Sequence, residues 1–358
     1  MTNISDVARV AGVSVATVSR ALRGISTVQE STRQRVLEAA TQLDYVVSPT
    51  AASLASGRTR VVGIITPFLS RWFFANAISA IEKTLREHGF HALLIDLEAT
   101  GTYDRRQLTT HMLSKRVDGL IAVNIPLRDE ELALITRLNL PLVSIGNPVP
   151  GCALVQIDEA QTVTAAVDHI VALGHERIGY VGAVPAQAAH TLVPYRRLTA
   201  FREALSDHAL NVADSWVVSC DWTASDAARQ ARLLFAETGG PTAIIAGSDE
   251  MAMGVMSAAA EADLRIPEDL SVIGIDDHYL SEVLKLSTVR QDVLAQGSAA
   301  AMILLHQLLE GSEEITPSLP SNMSSDRVLT VPTDLVPRRT TAPHRGSVSS
   351  HSFLGLPH

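Results

Sequence analysis

Two cysteines in 358 residues, Cys152 and Cys220, with no CxxC pair and no neighbouring pair of histidines, argue against a disulfide framework or a zinc site. Aromatic residues make up only 4% of the chain, and only three are tryptophan, so each tryptophan is a position to explain. No apolar run approaches the roughly 18 residues that span a membrane. The N-terminus lacks the charged and apolar segments of a signal peptide, so a cytoplasmic chain without membrane contact, able to associate with the nucleoid, is expected. Also missing are a phosphate loop, a GxSxG elbow, zinc-ligand spacing and a catalytic pair of carboxylates. No enzymatic activity, cofactor or metal is expected.

An excess of positive charge is missing too. The chain carries 29 basic and 38 acidic residues, a net of -9, which by itself does not suggest nucleic acid. The distribution says more. Residues 1–60 hold seven arginines and four acids, a net of +3, which leaves -12 for the rest. A weakly basic head on an acidic body keeps any attraction to DNA local to the head.

That head reads NISDVARVAGVSVATVSRALR over residues 3–23. Asn3 is placed to cap a first helix, and Asp6 suits the positive end of its dipole. Ile4, Val7, Ala8 and Ala11 form one apolar face at helical spacing. Gly12 supplies a left-handed stop, and Ser14 caps the next helix. In that second helix Val18 and Leu22 point back, leaving Val15, Ala16, Thr17, Ser19 and Arg20 outside. Small and hydroxyl residues there allow deep entry into a major groove, where apolar side chains read thymine methyls. Val15 and Ala16 are the candidates for base specificity. Thr17, Ser19 and Arg20 divide between phosphate and base edges, with the cap Ser14 also counted in the DNA-binding surface, and for Arg20 a phosphate clamp is nearly as good a reading as base contact. A third amphipathic helix, Glu30–Leu43, completes the head. A pair of ordinary core helices is the alternative, disfavoured by the short, polar outer face.

From Val61 the pattern alternates. Strands are expected at 61–66, 91–97, 119–123, 141–146, 155–158, 178–182, 216–220, 243–247 and 271–276. Helices are expected near 74–88, 104–115, 129–138, 160–173, 195–206, 224–237 and 249–262. Continuous apolar strands between amphipathic helices imply parallel sheets covered on both faces. Two such units in tandem suggest two lobes across a cleft, with a ligand beyond the carboxyl ends of the strands.

The segments ISDVARVAGVSVATVSRAL, STRQRVLEAATQLDYV, SLASGRTRVVGII, KRVDGLIAV, DHIVALGHERIGYVG, RRLTAFREAL, PTAII, SDEMAMG, IPEDLSVIGIDD and STVRQD together give the chain, from residue 3 to about 340, a specific resemblance. It resembles the lactose-repressor/galactose-repressor (LacI–GalR) family of bacterial transcription regulators. The resemblance implies an all-α helix-turn-helix headpiece (1–47), a hinge helix (48–60) and a core of two tandem Rossmann-like lobes (61–340), similar to periplasmic binding proteins. The first lobe is expected at 61–158 and 289–318, the second at 159–288 and 319–340. Residues 341–358, polar and rich in serine and proline without leucine heptads, are expected to form a disordered tail, favouring a dimer over a tetramer. The family implies a homodimer on a palindromic operator, with operator affinity controlled by a small effector, most often a sugar, held between the lobes.

In the hinge, Leu54 matches the family's minor-groove leucine by its nine-residue distance from Tyr45. An apolar wedge there costs unstacking and returns a bent groove with more contact. The family's usual Pro-Asn pair two residues after the tyrosine is Val47-Ser48 here, with proline at 49.

For the effector, carry-over and chemistry together select Phe73 and Phe74 as an apolar floor, and Trp222 as a face that stacks on a sugar ring. Arg197 suits paired hydrogen bonds, Asp276 accepts from neighbouring hydroxyls, and Asn147, Ser248, Asp249 and Gln291 complete a polar ring. Core packing is the competing reading for each phenylalanine, and a structural ion pair for Arg197 and Asp276. Two departures bear on the ligand. Ser248-Asp249 stands where many members have Asn-Asp, and Gly146-Asn147 where many have Asp-Arg. Loss of that charge points to a neutral sugar or polyol. His175 is read as a structural hydrogen-bonding residue. The alternatives are a sugar-binding protein without a regulatory role, or a regulator with a non-sugar effector such as a nucleoside; a sugar-active enzyme is poorly supported.

Overall fold

A computed structural model describes residues 3–22, 28–45, 58–98, 105–183, 193–236, 239–311 and 315–344. The chain divides between Arg60 and Val61.

In the N-terminal unit, α1 (Ile4–Ala11), α2 (Val15–Leu22) and α3 (Glu30–Gln42) enclose a small core of Val7, Ala8, Ala11, Val18, Ala21, Val36, Ala39 and Ala40. Ile4, Leu22 and Leu43 pack at its edge. The caps are those that the residue types demand. Asn3 Oδ1 accepts from the amides of Ser5 and Asp6, and Asp6 returns a bond to the Asn3 amide, closing a capping box. Gly12 takes the left-handed conformation, φ 67°, that ends α1. Ser14 Oγ accepts from the Thr17 amide at 3.1 Å and so caps α2.

The second unit contains two six-stranded sheets. The first lobe is built from β1 (Val61–Thr66), α4 (Trp72–Glu87), β2 (His91–Asp96), α5 (Thr110–Leu113), β3 (Gly119–Val123), α6 (Asp129–Arg137), β4 (Leu142–Ile145) and β5 (Ala153–Gln156). The second continues with α7 (Glu159–Ala172), β6 (Ile178–Ala183), α8 (Val193–Asp207), β7 (Val217–Ser219), α9 (Ala224–Phe235), β8 (Ala243–Ala246), α10 (Asp249–Glu261), β9 (Ser271–Asp276), α11 (Tyr279–Leu284) and β10 (Ser287–Gln291). The chain then returns to the first lobe as α12 (Val293–Leu309) and β11 (Val328–Thr330), and crosses once more to end the second sheet with β12 (Thr333–Val336).

The first sheet runs β2-β1-β3-β4-β5-β11, every neighbouring pair parallel. The second runs β7-β6-β8-β9-β10-β12, parallel except for β12. The order of strands reverses direction between β1 and β3, and again between β6 and β8. Such switch points open a crevice at the carboxyl ends of the strands. The strands are buried on both faces, as their uninterrupted apolar runs require.

The lobe boundaries differ from the expected ones. Val289 to Gln291 pair with β12, and Val289 and Arg290 also with β9, in the second sheet, so the return crossing follows Gln291 rather than preceding residue 289. Val328–Thr330 pair with β5 in the first sheet, which moves the last crossing from 318–319 to after β11. A strand that starts in one sheet is completed there, because crossing in mid-strand would strand its ladder groups. The expected strand at 155–158 starts earlier, at Ala153, and stops at Gln156 because Asp158 is already the cap of α7, accepting from the Gln161 amide. The expected helix at 104–115 is only Thr110–Leu113 among the described residues.

Residues 341–344, assigned to the tail by sequence, are bonded to the second lobe. Thr341 Oγ1 lies 2.9 Å from His169 Nε2, Ala342 O lies 3.0 Å from His175 Nε2, and the His344 amide donates to Leu173 O. His175 also meets Thr242 Oγ1 at 2.9 Å and is buried, a structural role as expected. Residues 345–358 lie outside the described residues. Among the described residues no helix is long and apolar enough to cross a membrane.

Candidate DNA-reading surface and inter-lobe cavity

α2 presents Val15, Ala16 and Arg20 to solvent, with Ser14 exposed just before it. Val15 is 43% exposed, high for a valine whose neighbours α1 and α3 offer an apolar core. Thr17 and Ser19 are half-buried, and Thr17 Oγ1 lies 2.9 Å from Ser14 Oγ. Val18 and Ala21, on the opposite face, are buried. The groove candidates therefore share the outer face of one short helix whose inner face fixes its orientation. Leu54 and residues 48–57 of the expected hinge helix lie outside the described residues, and residues 58–60 are not helical.

Between the lobes lies a cavity of about 380 Å³, within the roughly 300–1,000 Å³ range of small-molecule sites. Its lining comes from the carboxyl ends of strands in both sheets. After β1 come Phe68, Arg71, Phe73 and Phe74; after β3, Asn124; after β7, Cys220, Asp221, Trp222 and Thr223. Ser248 follows β8, Asp276 ends β9 and Gln291 ends β10. Of the residues expected here, Phe73, Phe74, Arg197, Trp222, Ser248, Asp276 and Gln291 line the cavity; Asn147 and Asp249 do not.

Phe73 and Phe74 stand edge to face with centroids 5.3 Å apart, and both also pack on the first-lobe core, so the two readings of each hold together. Trp222, left-handed at φ 57°, donates from Nε1 to Gly182 O at 2.8 Å. Its polar edge is thereby satisfied by the main chain, and the ring borders the cavity. Ser248 is spent partly on capping α10 through the Met251 amide.

Arg197 is buried. It donates from Nε to Glu159 at 2.6 Å and from Nη1 to Gly247 O at 2.6 Å, while Nη1 stands 4.0 Å from Asp276. Asp276 accepts from Gln291 Nε2 at 2.6 Å, and Gln291 in turn accepts from Gln296. Burial pushes the Asp276 carboxyl up to about 8 despite Arg197. A carboxyl so placed accepts a ligand hydrogen bond when charged and donates one when protonated.

Asp249, expected in the polar ring, is instead fully buried away from the lining, accepting from Thr288 Oγ1 at 2.7 Å, Ser281 Oγ at 2.6 Å and the His278 amide at 2.9 Å. It ties α10 to the segment after β9, and a Cβ on Gly274 would overlap its carboxylate. Its neighbour Glu250 faces the cavity instead. Asn147 is likewise buried and not part of the lining, and among the described residues the first-lobe side-chain amide that lines the cavity is Asn124. Asn124 Oδ1 is buried with no hydrogen-bond partner among the described residues.

Phe68, Arg71, Arg105, Asn124, Asp221, Thr223 and Glu250 also line the cavity, although no pattern in the sequence singles them out. Arg105 is held by a bidentate pair with buried Glu131 at 2.6 and 2.8 Å. Burial works against the Glu131 charge, but Arg105 and the amides of Arg128 and Leu108 outweigh it and lower the pKa. Among the described residues the lining carries Arg71, Arg105 and Arg197 together with Asp221, Glu250 and Asp276. Cys220 stays a thiol, pushed up to about 11 by burial.

Residues 3–48 match the model for bacterial regulatory proteins of the lacI family, and residues 167–341 that for a periplasmic binding protein-like domain. The chain is 33% identical over 309 residues to catabolite control protein A of Priestia megaterium, a match that covers 84% of this chain and 91% of that protein. The chain belongs to the lacI family of bacterial regulatory proteins. It is also 30% identical to the HTH-type transcriptional repressor PurR of Photobacterium profundum, over 88% of this chain and 94% of that one. Among solved structures, the lac repressor dimer bound to operator and the anti-inducer ONPF superposes with a TM-score of 0.78 at 25% identity, covering 95% of this chain and 99% of that one. The regulator is therefore a DNA-binding transcriptional repressor by family, with a head for DNA and a two-lobed core.

Proposed function

We propose that the regulator binds a palindromic operator as a homodimer, one head per half-site, and that a small neutral effector between its lobes controls that affinity. Val15, Ala16 and Arg20 read the half-site, supported by their place on the outer face of α2 and by the operator complex of the similar lac repressor. The observation that carries the effector reading is the cavity itself, at the strand ends of both lobes, where a ligand touches both and favours one arrangement of them. A coupling on the order of 1–3 kcal/mol between cavity and head is enough for control.

A sugar or polyol is the effector class favoured by Asp276, Gln291 and Asn124 as hydroxyl partners and Trp222 as a stacking face, with Arg105 and Arg197 already paired with Glu131 and Glu159. A nucleoside is the second reading, favoured by aromatic residues on both lobes, Phe74 and Trp222, which together suit a flat base. Selection from random DNA with the full chain is expected to return a palindrome; sequences without symmetry overturn the dimeric reading. Calorimetric titration with sugars and nucleosides separates the two effector classes. Binding of neither overturns the effector reading.

A further inference from the structure

Two arginines cross the cleft in opposite senses. Arg71, ahead of α4 in the first lobe, donates from Nη2 to the main-chain carbonyl of Asp221 in the second lobe at 3.3 Å. Arg196, on α8 in the second lobe, donates from Nη2 to the carbonyl of Gly146 in the first at 2.5 Å. Neither forms an ion pair among the described residues, and burial lowers the pKa of both guanidinium groups.

Each end is positioned by its surroundings. The Arg71 guanidinium carbon sits 3.6 Å from the centroid of the Phe68 ring, which fixes its plane. The adjacent Trp72 meets His278 of the second lobe with centroids 5.3 Å apart. On the other side, Gly146 is left-handed at φ 80°, and its amide donates to Val155 O at 2.8 Å, which ties the residue whose carbonyl Arg196 reaches into the first lobe.

We propose that Arg71 and Arg196 are reciprocal straps that set the angle between the lobes, and so are positioning residues for the effector response. The acceptors are uncharged carbonyls, so either strap opens without separating an ion pair. That suits a cleft which must close and reopen, whereas a buried ion pair would be costly to break. Because Arg71 also lines the cavity, a ligand that enters there bears directly on one strap.

The inference rests on the reading that lobe movement controls the head, and its test needs no effector. Spin labels at Lys83→Cys in α4 and Glu203→Cys in α8, in a Cys152→Ser background, report the inter-lobe distance of the full chain by pulsed EPR. Arg71→Ala and Arg196→Ala are each expected to broaden the distribution and shift it to longer distance, and the double variant to shift it further. A melting curve on each variant checks folding; a strap that served stability alone would lower the melting temperature and leave the distance unchanged. An unchanged distance in a folded double variant overturns the proposal, and a shift in only one single variant overturns the reciprocity. Arg71→Gln and Arg196→Gln, which keep a neutral donor, are expected to fall between wild type and alanine.

Discussion

Arg197 donates through Nε to Glu159 at 2.6 Å while its Nη1 stands 4.0 Å from Asp276. Glu159 belongs to the first turn of α7 and Asp276 to the end of β9, so one guanidinium is anchored behind the cavity and presented toward its interior. The choice between ligand clamp and structural ion pair, open from sequence, becomes a division between the two ends of one group. Arg197→Ala strands the buried Glu159 carboxylate, and a loss of about 3–5 kcal/mol is expected in urea unfolding. A loss below about 1 kcal/mol, the scale of a surface pair, contradicts the anchor.

The Asp276 carboxyl gives the core a pH dependence of defined sign. Burial raises its folded pKa to about 8, above the unfolded value near 3.8. The native state therefore holds a proton that the unfolded state releases. Its contribution is complete below about 3.8 and is lost as pH rises through about 8. Asp249, raised to about 6 by burial, acts in the same sense. Stability measured across that window is expected to fall with pH more steeply in wild type than in Asp276→Asn. Parallel curves would show that Asp276 is not shifted.

Thr340 ties the C-terminal segment into the second lobe. Its Oγ1 accepts from the Ser287 amide at 2.8 Å and donates to Val272 O at 2.7 Å, and the side chain is buried. Thr340→Val keeps the shape and leaves both main-chain groups without this partner. A cost of about 1–3 kcal/mol is expected by denaturant unfolding, and no change would contradict the tie.

In the head, Ser14→Ala removes the cap of α2 while leaving its outer face intact. A loss of about 1 kcal/mol in stability is expected, with weaker operator binding and unchanged sequence preference. Val15 and Ala16 substitutions are expected to do the reverse, changing preference with little change in melting temperature. A changed preference in Ser14→Ala would give Ser14 a base contact of its own.

Much of this was legible in the residues. Asn3, Gly12 and Ser14 mark their own caps and stop, because capping is local chemistry. The strands at 61–66, 119–123 and 271–276 have the bounds their apolar runs suggest. The crossings between lobes were harder to place. Val328–Thr330 is three residues long, and its pairing with β5 depends on a partner more than 170 residues earlier. Asp249 and Glu250 show a second limit. Both open α10, and adjacent helical residues differ by about 100° in direction. Only the position of that helix against Thr288 and Ser281 decides which of them faces the cavity. Arg71 and Arg105 sit in segments without periodicity, and their roles arise from partners on other elements.

Control of the head by the cavity is measured by operator binding of the full chain. Fluorescence anisotropy on the selected palindrome, with a sugar or nucleoside that binds calorimetrically, is expected to show a change in operator Kd of roughly 5-fold to 150-fold. In Trp222→Ala the same change should require far more ligand. An operator Kd that stays constant while the ligand saturates the cavity would show that the cavity does not control the head.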